Sequence, residues 1–247
     1  MAVTTQPLVR LDRVRKEFGA VVAVEEVTLD VRAGDIVALV GDNGAGKSTL
    51  VKIIAGVHQP TSGEILLEGE PVRLHGPNDA RRYGIEVVYQ DLALANGQPV
   101  YMNMFLGREL VRGPLRMLNR RKMATTTERL LDDLDIRIES PRATIRDLSG
   151  GQRQGVAIAR AVQWAERLVL MDEPTAALGV RETKRVEDII LRMRERGRAI
   201  VIVSHSLDQV FRVSDRICVL RRGRQVGVRA TSETTGDEIV SMITGLG

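Results

Sequence analysis

The stretch Asp35–Gly56, DIVALVGDNGAGKSTLVKIIAG, places a glycine-rich turn between two apolar segments. The turn, GDNGAGKST, matches the pattern G-x-x-x-x-G-K-[ST] of a phosphate-binding loop, or P-loop. The pattern is specific when a buried strand precedes it and a helix follows it, and the segments DIVALV and TLVKIIAG supply both. The sequence therefore predicts an α/β protein that binds a nucleotide through its phosphates.

The P-loop residues have separate predicted roles. Glycines let the backbone wrap around phosphates and turn its N–H groups inward at the positive end of the following helix. Lys47 is predicted to neutralise β- and γ-phosphate oxygens, and Ser48 to ligate Mg²⁺. The candidate phosphate-binding residues are Gly41, Asp42, Asn43, Gly44, Ala45, Gly46, Lys47, Ser48 and Thr49.

An acidic pair follows another apolar run, LVLMDE. The run predicts a buried strand with Asp172 at its carboxyl end, which is where α/β sheets bind ligands. Asp172 is predicted to hold Mg²⁺, usually through water, and Glu173 to polarise an attacking water molecule. A strand that ends in a solvated acidic pair is the alternative, and the P-loop makes it the weaker one.

A second glycine turn, LSGGQ (Leu148–Gln152), also precedes a segment with helical character. A hydroxyl, two glycines with open backbone N–H groups and a helix dipole again suit an anion. The alternative is a plain helix N-cap at Ser149. A second phosphate turn is redundant beside a P-loop in one monomer, so the LSGGQ turn is predicted to close on a nucleotide held by another copy of the chain.

Composition excludes several classes of protein. The chain has 247 residues, a formal charge of +4 with the charges scattered in short runs, and 3% aromatic residues. That aromatic content argues against base-stacking platforms and a nucleic-acid partner. The single cysteine, Cys218, excludes an intrachain disulfide and suits a buried strand in a reducing compartment. Because the sequence has no secretion signal and no membrane-spanning run, a cytosolic protein is expected.

Near-continuous apolar runs predict strands of a parallel sheet covered on both faces. They are Asp35–Gly41, Gly84–Gln90, Arg167–Glu173, Arg198–His205 and Asp215–Leu220. Leu8–Val31 and Gly63–Val72 alternate and predict an antiparallel flank. Val186, Ile189, Ile190 and Met193 predict a helix that stops at Gly197. Residues 91–164 lack long strand-like runs and predict a helical subdomain.

The ordered motifs GDNGAGKST, VVYQD, LSGGQRQ, LVLMDEPTAAL and IVSHSLDQV resemble the nucleotide-binding subunit of an ATP-binding-cassette (ABC) transporter. The resemblance runs from Leu8 to at least Gly227. It implies one cassette over residues 1–247, with a mainly parallel core sheet, an antiparallel β flank and the helical subdomain 91–164 inserted. It also implies ATP hydrolysis with Mg²⁺ as the cofactor.

The resemblance assigns further residues. It implies a head-to-tail dimer in which each ATP lies between one copy's P-loop and the other copy's Ser149, Gly150, Gly151 and Gln152. Gln90 would sit near Mg²⁺ and the attacking water, and His205 would contact the γ-phosphate and position the water with Glu173. On residue type alone Gln90 is a turn residue and His205 a structural histidine, but both follow apolar strands that should end beside Asp172.

The resemblance also bears on Phe18 and Gly179. The resemblance implies that Phe18 stacks on adenine, which would discriminate poorly between ATP and GTP; a core phenylalanine is the alternative. After Leu178 the family commonly has an aspartate that crosses the dimer interface, and this chain has Gly179. Gly179 cannot make the polar contacts of that aspartate, so coupling between the two ATP sites of the dimer is in doubt. Hydrolysis is still expected, because Glu173 is present.

The segments VVYQDLALANGQPVYMNMFLGRE and EPTAALGV resemble ATPases of bacterial monosaccharide importers for ribose, xylose and fructose. Most such chains contain two fused cassettes, so a homodimer is expected here. The expected partners are membrane permease subunits and, indirectly, a periplasmic sugar-binding protein, with the ATPase at the cytoplasmic face of the membrane. Leu92–Arg108 is the expected docking surface. Such residues as Tyr101, Met102, Met104, Phe105 and Leu106 most often form core, but a partly exposed subset would suit a groove for a short cytoplasmic helix. A soluble non-transport ABC ATPase, or an importer of another substrate, remains the alternative.

Overall fold

The computed structural model describes residues 6–176 and 178–245. Its main sheet has ten strands in the order β5-β4-β1-β2-β12-β11-β3-β10-β9-β6. The strands are β1 (Val9–Phe18), β2 (Val21–Val31), β3 (Ile36–Val40), β4 (Ser62–Leu67), β5 (Glu70–Val72), β6 (Ile85–Val88), β7 (Val111–Arg112), β8 (Met117–Leu118), β9 (Leu168–Asp172), β10 (Ala199–Val203), β11 (Arg216–Arg221) and β12 (Arg224–Ala230). Strands β7 and β8 form a separate hairpin.

Eight α-helices lie within the described ranges. They are α1 (Lys47–Ile54), α2 (Pro77–Arg82), α3 (Val100–Met104), α4 (Arg120–Asp133), α5 (Gly150–Trp164), α6 (Val180–Glu195), α7 (Leu207–Val213) and α8 (Gly236–Thr244). Short 3₁₀ turns occur at Ile145–Asp147 and Thr231–Glu233. Among the described residues, no helix is both long enough and apolar enough to cross a membrane.

The parallel core of the sheet, β11-β3-β10-β9-β6, is apolar on both faces. Because side chains alternate along a strand, each strand contributes to two separate cores. Ile36, Ala38 and Val40 of β3 pack into one core together with helices α3–α8, while Val37 and Leu39 pack into the other with α1 and β2. The five predicted parallel strands are all confirmed, and Cys218 is fully buried in β11 as predicted.

The antiparallel flank is also confirmed. Strands β1 and β2 pair antiparallel, and β4 and β5 extend the same ladder. The flank joins the core through β12, which pairs antiparallel with β11 and contacts β2 at the pair Arg224 and Glu25. The fold is therefore a mixed sheet whose strands are parallel from β11 to β6 and antiparallel in the flank from β5 to β2.

The range 91–164 contains α3, α4 and α5, as the helical prediction requires, together with the short β7–β8 hairpin that the sequence pattern did not indicate. Its apolar side chains, including Met104 and Met123, belong to the same core as Val169 and Ile200 of the sheet. One cassette over 1–247 stays a prediction, and residues 1–5, 177 and 246–247 of that range lie outside the described residues.

Helix α6 ends where its sequence predicts. Gly197 has φ +78°, and its N–H donates to the carbonyl oxygen of Arg194 at 2.8 Å. The N–H of Arg198 donates to the carbonyl oxygen of Met193 at 3.2 Å. These two bonds form a Schellman motif, in which a left-handed residue satisfies the last carbonyls of a helix.

Replacing Gly197 with Ala tests this helix end. No atom lies within 4 Å of the added methyl group, so the change measures the left-handed backbone alone. We expect a loss of about 1 kcal/mol in the free energy of unfolding, measured by urea titration. Gly236→Ala is the matched control, because Gly236 has no such φ and open space around it, and it should not destabilise. Equal stability of Gly197→Ala and wild type would contradict the motif's contribution.

Candidate active site

The predicted site residues converge because four parallel strands end at one edge of the sheet. Val203 of β10 lies opposite Leu39 of β3 on one side and Asp172 of β9 on the other. Val88 of β6 lies opposite Met171. The P-loop, His205, Asp172 with Glu173, and Gln90 therefore all leave the sheet at this edge, which is the usual ligand-binding edge of an α/β fold.

Two P-loop glycines are required by close backbone approach. A Cβ at Gly41 would lie 2.1 Å from the carbonyl oxygen of Leu220, and a Cβ at Gly46 would lie 2.5 Å from that of Ala23. Both also have positive φ, +147° and +101°. Gly44 has φ +79° with open space around it. The loop is thus held against β11 and β2 while its central residues stay uncovered.

Lys47, the first residue of α1, is folded into the loop. Its ammonium group donates to the carbonyl oxygens of Gly41 at 2.7 Å and Asp42 at 2.9 Å. Burial lowers the pKa of Lys47, and the neighbouring carboxylates of Glu173, Asp172 and Asp42 partly offset this effect. The side chain places a positive charge at the centre of an anion-binding loop, where phosphate oxygens can replace the two carbonyls.

Ser48 and Asp172 meet as the motif predicts. The Ser48 hydroxyl donates to Oδ1 of Asp172 at 3.2 Å. Asp172 is 7% exposed, and this desolvation raises its pKa, an effect that the Ser48 hydrogen bond opposes. A buried carboxylate and a hydroxyl are hard oxygen donors, which suit Mg²⁺ bound mainly by phosphate and water. No cluster of three or more His, Cys, Asp or Glu residues that could hold a metal occurs in the described part of the chain.

Glu173 and His205 form a direct pair. Nε2 of His205 lies 2.6 Å from Oε1 of Glu173. Glu173 has φ +52°, and its N–H donates to the carbonyl oxygen of Val203 at 3.0 Å, so the backbone turns sharply away from the sheet. Because the glutamate side chain is 18% and the histidine 46% exposed, the pair can reach water at the edge of the sheet. This arrangement suits a carboxylate that takes a proton and an imidazole that orients it.

Gln209 is a residue that sequence reasoning missed. It is fully buried on α7, and its Oε1 accepts from the hydroxyls of Ser204 at 2.8 Å and Thr175 at 3.1 Å. Its backbone N–H is capped by Ser206. The amide therefore ties the segment that follows Glu173 to the segment that carries His205. Gln209 is the last residue of the stretch SHSLDQ, but nothing in that stretch predicts its contact with Thr175.

Gln90 lies at the same edge of the sheet and is exposed. The loop that follows it is fixed by Arg160, another residue that the motifs did not single out. The guanidinium group of Arg160 donates to the carbonyl oxygens of Leu92 at 2.8 Å and Ala93 at 2.9 Å. Since Arg160 belongs to α5, the helix that begins at the LSGGQ turn also holds the loop after Gln90.

The LSGGQ turn forms a complete capping box. The hydroxyl of Ser149 accepts from the N–H of Gln152 at 3.2 Å, and Oε1 of Gln152 accepts from the N–H of Ser149 at 2.9 Å. Nε2 of Gln152 donates to the carbonyl oxygen of Arg137 at 3.1 Å. Ser149 is thus the N-cap of α5, and the Gln152 amide is engaged within its own chain. Ser149 and Gly150 remain exposed, with open space around the Gly150 Cα.

The LSGGQ turn and the P-loop line different cavities. The turn borders a small cavity with Glu182 and Arg185, whereas the tip of the P-loop borders one of about 760 Å³ with Arg221, Arg222 and α8. The two share no lining residue. Neither of these two cavities brings the two glycine turns of one copy together.

Phe18 and Gly179 have definite environments. Phe18 is 44% exposed and meets the His58 ring edge-on at 5.1 Å between centroids, so it is not a core residue. It ends β1, and the adjoining β2 reaches the P-loop at Ala23. Gly179 is the N-cap of α6, where a Cβ would lie 2.8 Å from Oε2 of Glu182.

The fold and the site define a P-loop nucleotide-binding protein of the α/β class. The chain matches the model of the ABC transporter family over residues 24–176. It is 45% identical to the xylose/arabinose import ATP-binding protein of Sulfolobus acidocaldarius, over 96% of this chain and 94% of that protein. The fructose import ATP-binding protein of Rhizobium meliloti is 43% identical, over 97% and 95%. The chain belongs to the ABC transporter family and is one of its ATP-hydrolysing cassettes.

Other comparisons agree with this assignment. The ribose import ATP-binding protein of Yersinia pestis is 43% identical over 97% of this chain but only 46% of that protein. An ABC transporter cassette solved in its ADP conformation superposes with a TM-score of 0.85 at 24% identity, over 98% of this chain and all of that one. A dimeric cassette bound to ADP and Pi in a post-hydrolysis state has a TM-score of 0.77 at 26% identity, over 90% and 98%.

Asp172→Asn tests the electrostatic state of the site. Because burial raises the pKa of Asp172, its charged form opposes folding above that pKa. We expect the variant, without nucleotide at pH 7, to gain about 1 kcal/mol, or roughly 2–4 °C in Tm, and to lose ATP hydrolysis. The gain should shrink as the pH falls and wild-type Asp172 protonates.

Calorimetry at several pH values measures this difference. Asp132→Asn, at an exposed position on α4, is the matched control and should leave Tm nearly unchanged at every pH. A Tm of Asp172→Asn below that of wild type at pH 7 would contradict the assignment of a destabilising buried charge.

Proposed function

We propose that this chain is the ATP-hydrolysing subunit of an importer that carries a monosaccharide of the xylose, fructose or ribose type through separate membrane subunits. The observation that carries the proposal is identity of 43–45% over nearly the whole length of two sugar-import ATP-binding proteins. The cassette itself has no sugar site in this proposal. Its place is the cytoplasmic face of the membrane, and a periplasmic sugar-binding protein is an indirect partner.

In this proposal the P-loop N–H groups and Lys47 hold the phosphates of ATP. The hydroxyl of Ser48 and the carboxylate of Asp172, 3.2 Å apart, together with the nearby Gln90, would hold Mg²⁺. Bound there, Mg²⁺ supplies positive charge that stabilises the oxygens of the transferred phosphoryl group. Phe18, exposed beside the β2 segment that touches the P-loop, stacks on adenine.

Glu173 acts as the general base in this proposal. Its carboxylate takes a proton from the water that attacks the γ-phosphate, and His205 keeps the carboxylate oriented through their contact of 2.6 Å. His205 also contacts the γ-phosphate. The left-handed backbone at Glu173 supports this role, since strained conformations of residues other than glycine concentrate at functional sites.

The proposed assembly is a head-to-tail homodimer with two equivalent ATP sites. The exposed Ser149 and Gly150, with Gly151 behind them, would bind the γ-phosphate of an ATP held by the partner's P-loop. The separate cavities of the two glycine turns support this trans arrangement. Gly179 at the start of α6 offers no polar side chain for contact between sites, so we propose that the two sites hydrolyse ATP independently.

A mixing experiment tests the trans site. Lys47→Met removes the P-loop cation, and Ser149→Arg obstructs the LSGGQ turn, so each variant alone should be inactive. In a mixed dimer one of the two sites has an intact P-loop and an intact LSGGQ turn. Equal amounts of the two variants should therefore recover roughly a quarter or less of wild-type ATP hydrolysis if the chains exchange freely. A mixture as inactive as its parts would contradict the trans arrangement, because it is the result expected if Lys47 and Ser149 of the same copy act on one ATP.

The proposed docking surface for the membrane subunits is Leu92–Arg108. Tyr101, Met104 and Phe105 are buried in the core, while Met102 is half-buried and Leu106 is 54% exposed. The surface available for docking therefore consists of the loop after Gln90 and the exposed end of α3. Because Arg160 fixes this loop to α5, closure of the LSGGQ turn on ATP can be transmitted to the docked subunit.

Purification of the tagged chain from native membranes in mild detergent tests the transport assignment. We expect a polytopic membrane protein in roughly equal stoichiometry, as expected for a symmetric complex. The matching binding protein is then screened against xylose, ribose and fructose by isothermal calorimetry. An active chain recovered without any membrane partner would favour a soluble non-transport ATPase, and a non-sugar ligand would overturn the substrate assignment alone.

A further inference from the structure

The β7–β8 hairpin exposes apolar side chains to solvent. Val111 is 42%, Leu115 83%, Met117 59% and Leu118 36% exposed. They lie within one short stretch of chain, with Leu115 at the turn and Val111 paired opposite Leu118. A cluster of exposed aliphatic side chains contributes little to the core and marks an interaction surface.

Positive charge surrounds this apolar hairpin. Arg112 and Arg116 belong to it, and Arg120, Arg121 and Lys122 follow at the start of α4. All five side chains are exposed, none forms an ion pair with another described residue, and residues 110–122 contain no Asp or Glu. The first turn of α4 also has no acidic residue, so these cations add to the positive end of its dipole.

We propose that the hairpin Val111–Leu118, with Arg120, Arg121 and Lys122, binds the surface of a bilayer rich in anionic lipids. The cations contact the phosphates of the headgroups, while Leu115 and Met117 enter the boundary between headgroups and acyl chains. Such a combination of basic and aliphatic side chains is what holds peripheral proteins at an anionic interface.

The shape of the hairpin favours a bilayer over a protein or nucleic-acid partner. The chain turns tightly at Gly113, with φ +69°, and the N–H of Arg116 donates to its carbonyl oxygen at 3.1 Å. The result is a convex tip formed by Leu115. Its stretch contains no aromatic residue on which bases could stack. A convex aliphatic tip with surrounding cations is complementary to a deformable anionic surface.

The proposal goes beyond the proposed import function and does not depend on it. The hairpin follows Leu92–Arg108, the proposed docking surface, closely in the sequence. Binding to lipid requires neither ATP nor a membrane subunit. A test on protein-free vesicles therefore succeeds or fails separately from the transport assignment.

Flotation of the full chain with vesicles is the experiment. We expect the wild type to float with vesicles of equal parts phosphatidylcholine and phosphatidylglycerol, to remain unbound with phosphatidylcholine alone, and to dissociate as salt is raised. The variants Arg112→Gln with Arg116→Gln, and Leu115→Ser with Met117→Ser, should each weaken partitioning roughly tenfold. Arg73→Gln with Arg196→Gln removes two exposed arginines elsewhere and should bind like wild type.

Equal Tm values for all variants would show that the exposed substitutions leave the fold intact. Partitioning of either hairpin variant at the wild-type level, or a loss of the same size in the control, would overturn the proposal. So would hairpin variants that bind vesicles normally but no longer co-purify with a membrane subunit, because the surface would then serve a protein partner.

Discussion

The active site depends on the parallel hydrogen-bond register that β10 shares with its two neighbours. Val203 is opposite Leu39 in β3 and Asp172 in β9, so three strands reach the same edge in step. No separate long-range contact has to bring the P-loop, His205 and Asp172 together. A slip of one residue would reverse the faces of every side chain in a strand and separate Asp172 from Ser48.

The shared strand ends place Lys47 and Asp172, two ionisable groups, in a buried region at the edge of the sheet. Burial lowers the pKa of Lys47 and raises that of Asp172, so each group resists its own charged form. The left-handed conformation of Glu173 adds about 1–3 kcal/mol of local strain. The two apolar cores that enclose β3, β9 and β10 hold the groups in place despite these costs. An anion beside Lys47 and a cation beside Asp172 would offset the desolvation of these two groups.

Much of this molecule could be predicted from its sequence because the deciding signals are local. The buried strands are continuous apolar runs, and the P-loop and the acidic pair are short motifs next to them. The contacts of Arg160 with Ala93 and of Gln209 with Thr175 could not be predicted, because these partners lie 67 and 34 residues away along the chain. The β7–β8 hairpin was missed since strands of two residues show no periodicity.

The P-loop and the LSGGQ turn use their glycines for different reasons. In the P-loop, Gly41 and Gly46 adopt positive φ under close backbone contact, so the loop is shaped around a ligand by its own chain. In the LSGGQ turn neither Gly150 nor Gly151 has a left-handed φ. Gly151 packs against Glu182, and Gly150 leaves an exposed helix end. The P-loop can surround a phosphate within one subunit. A phosphate at the exposed N-terminus of α5 would keep its other side open to a second surface, which is the physical argument for the proposed trans site.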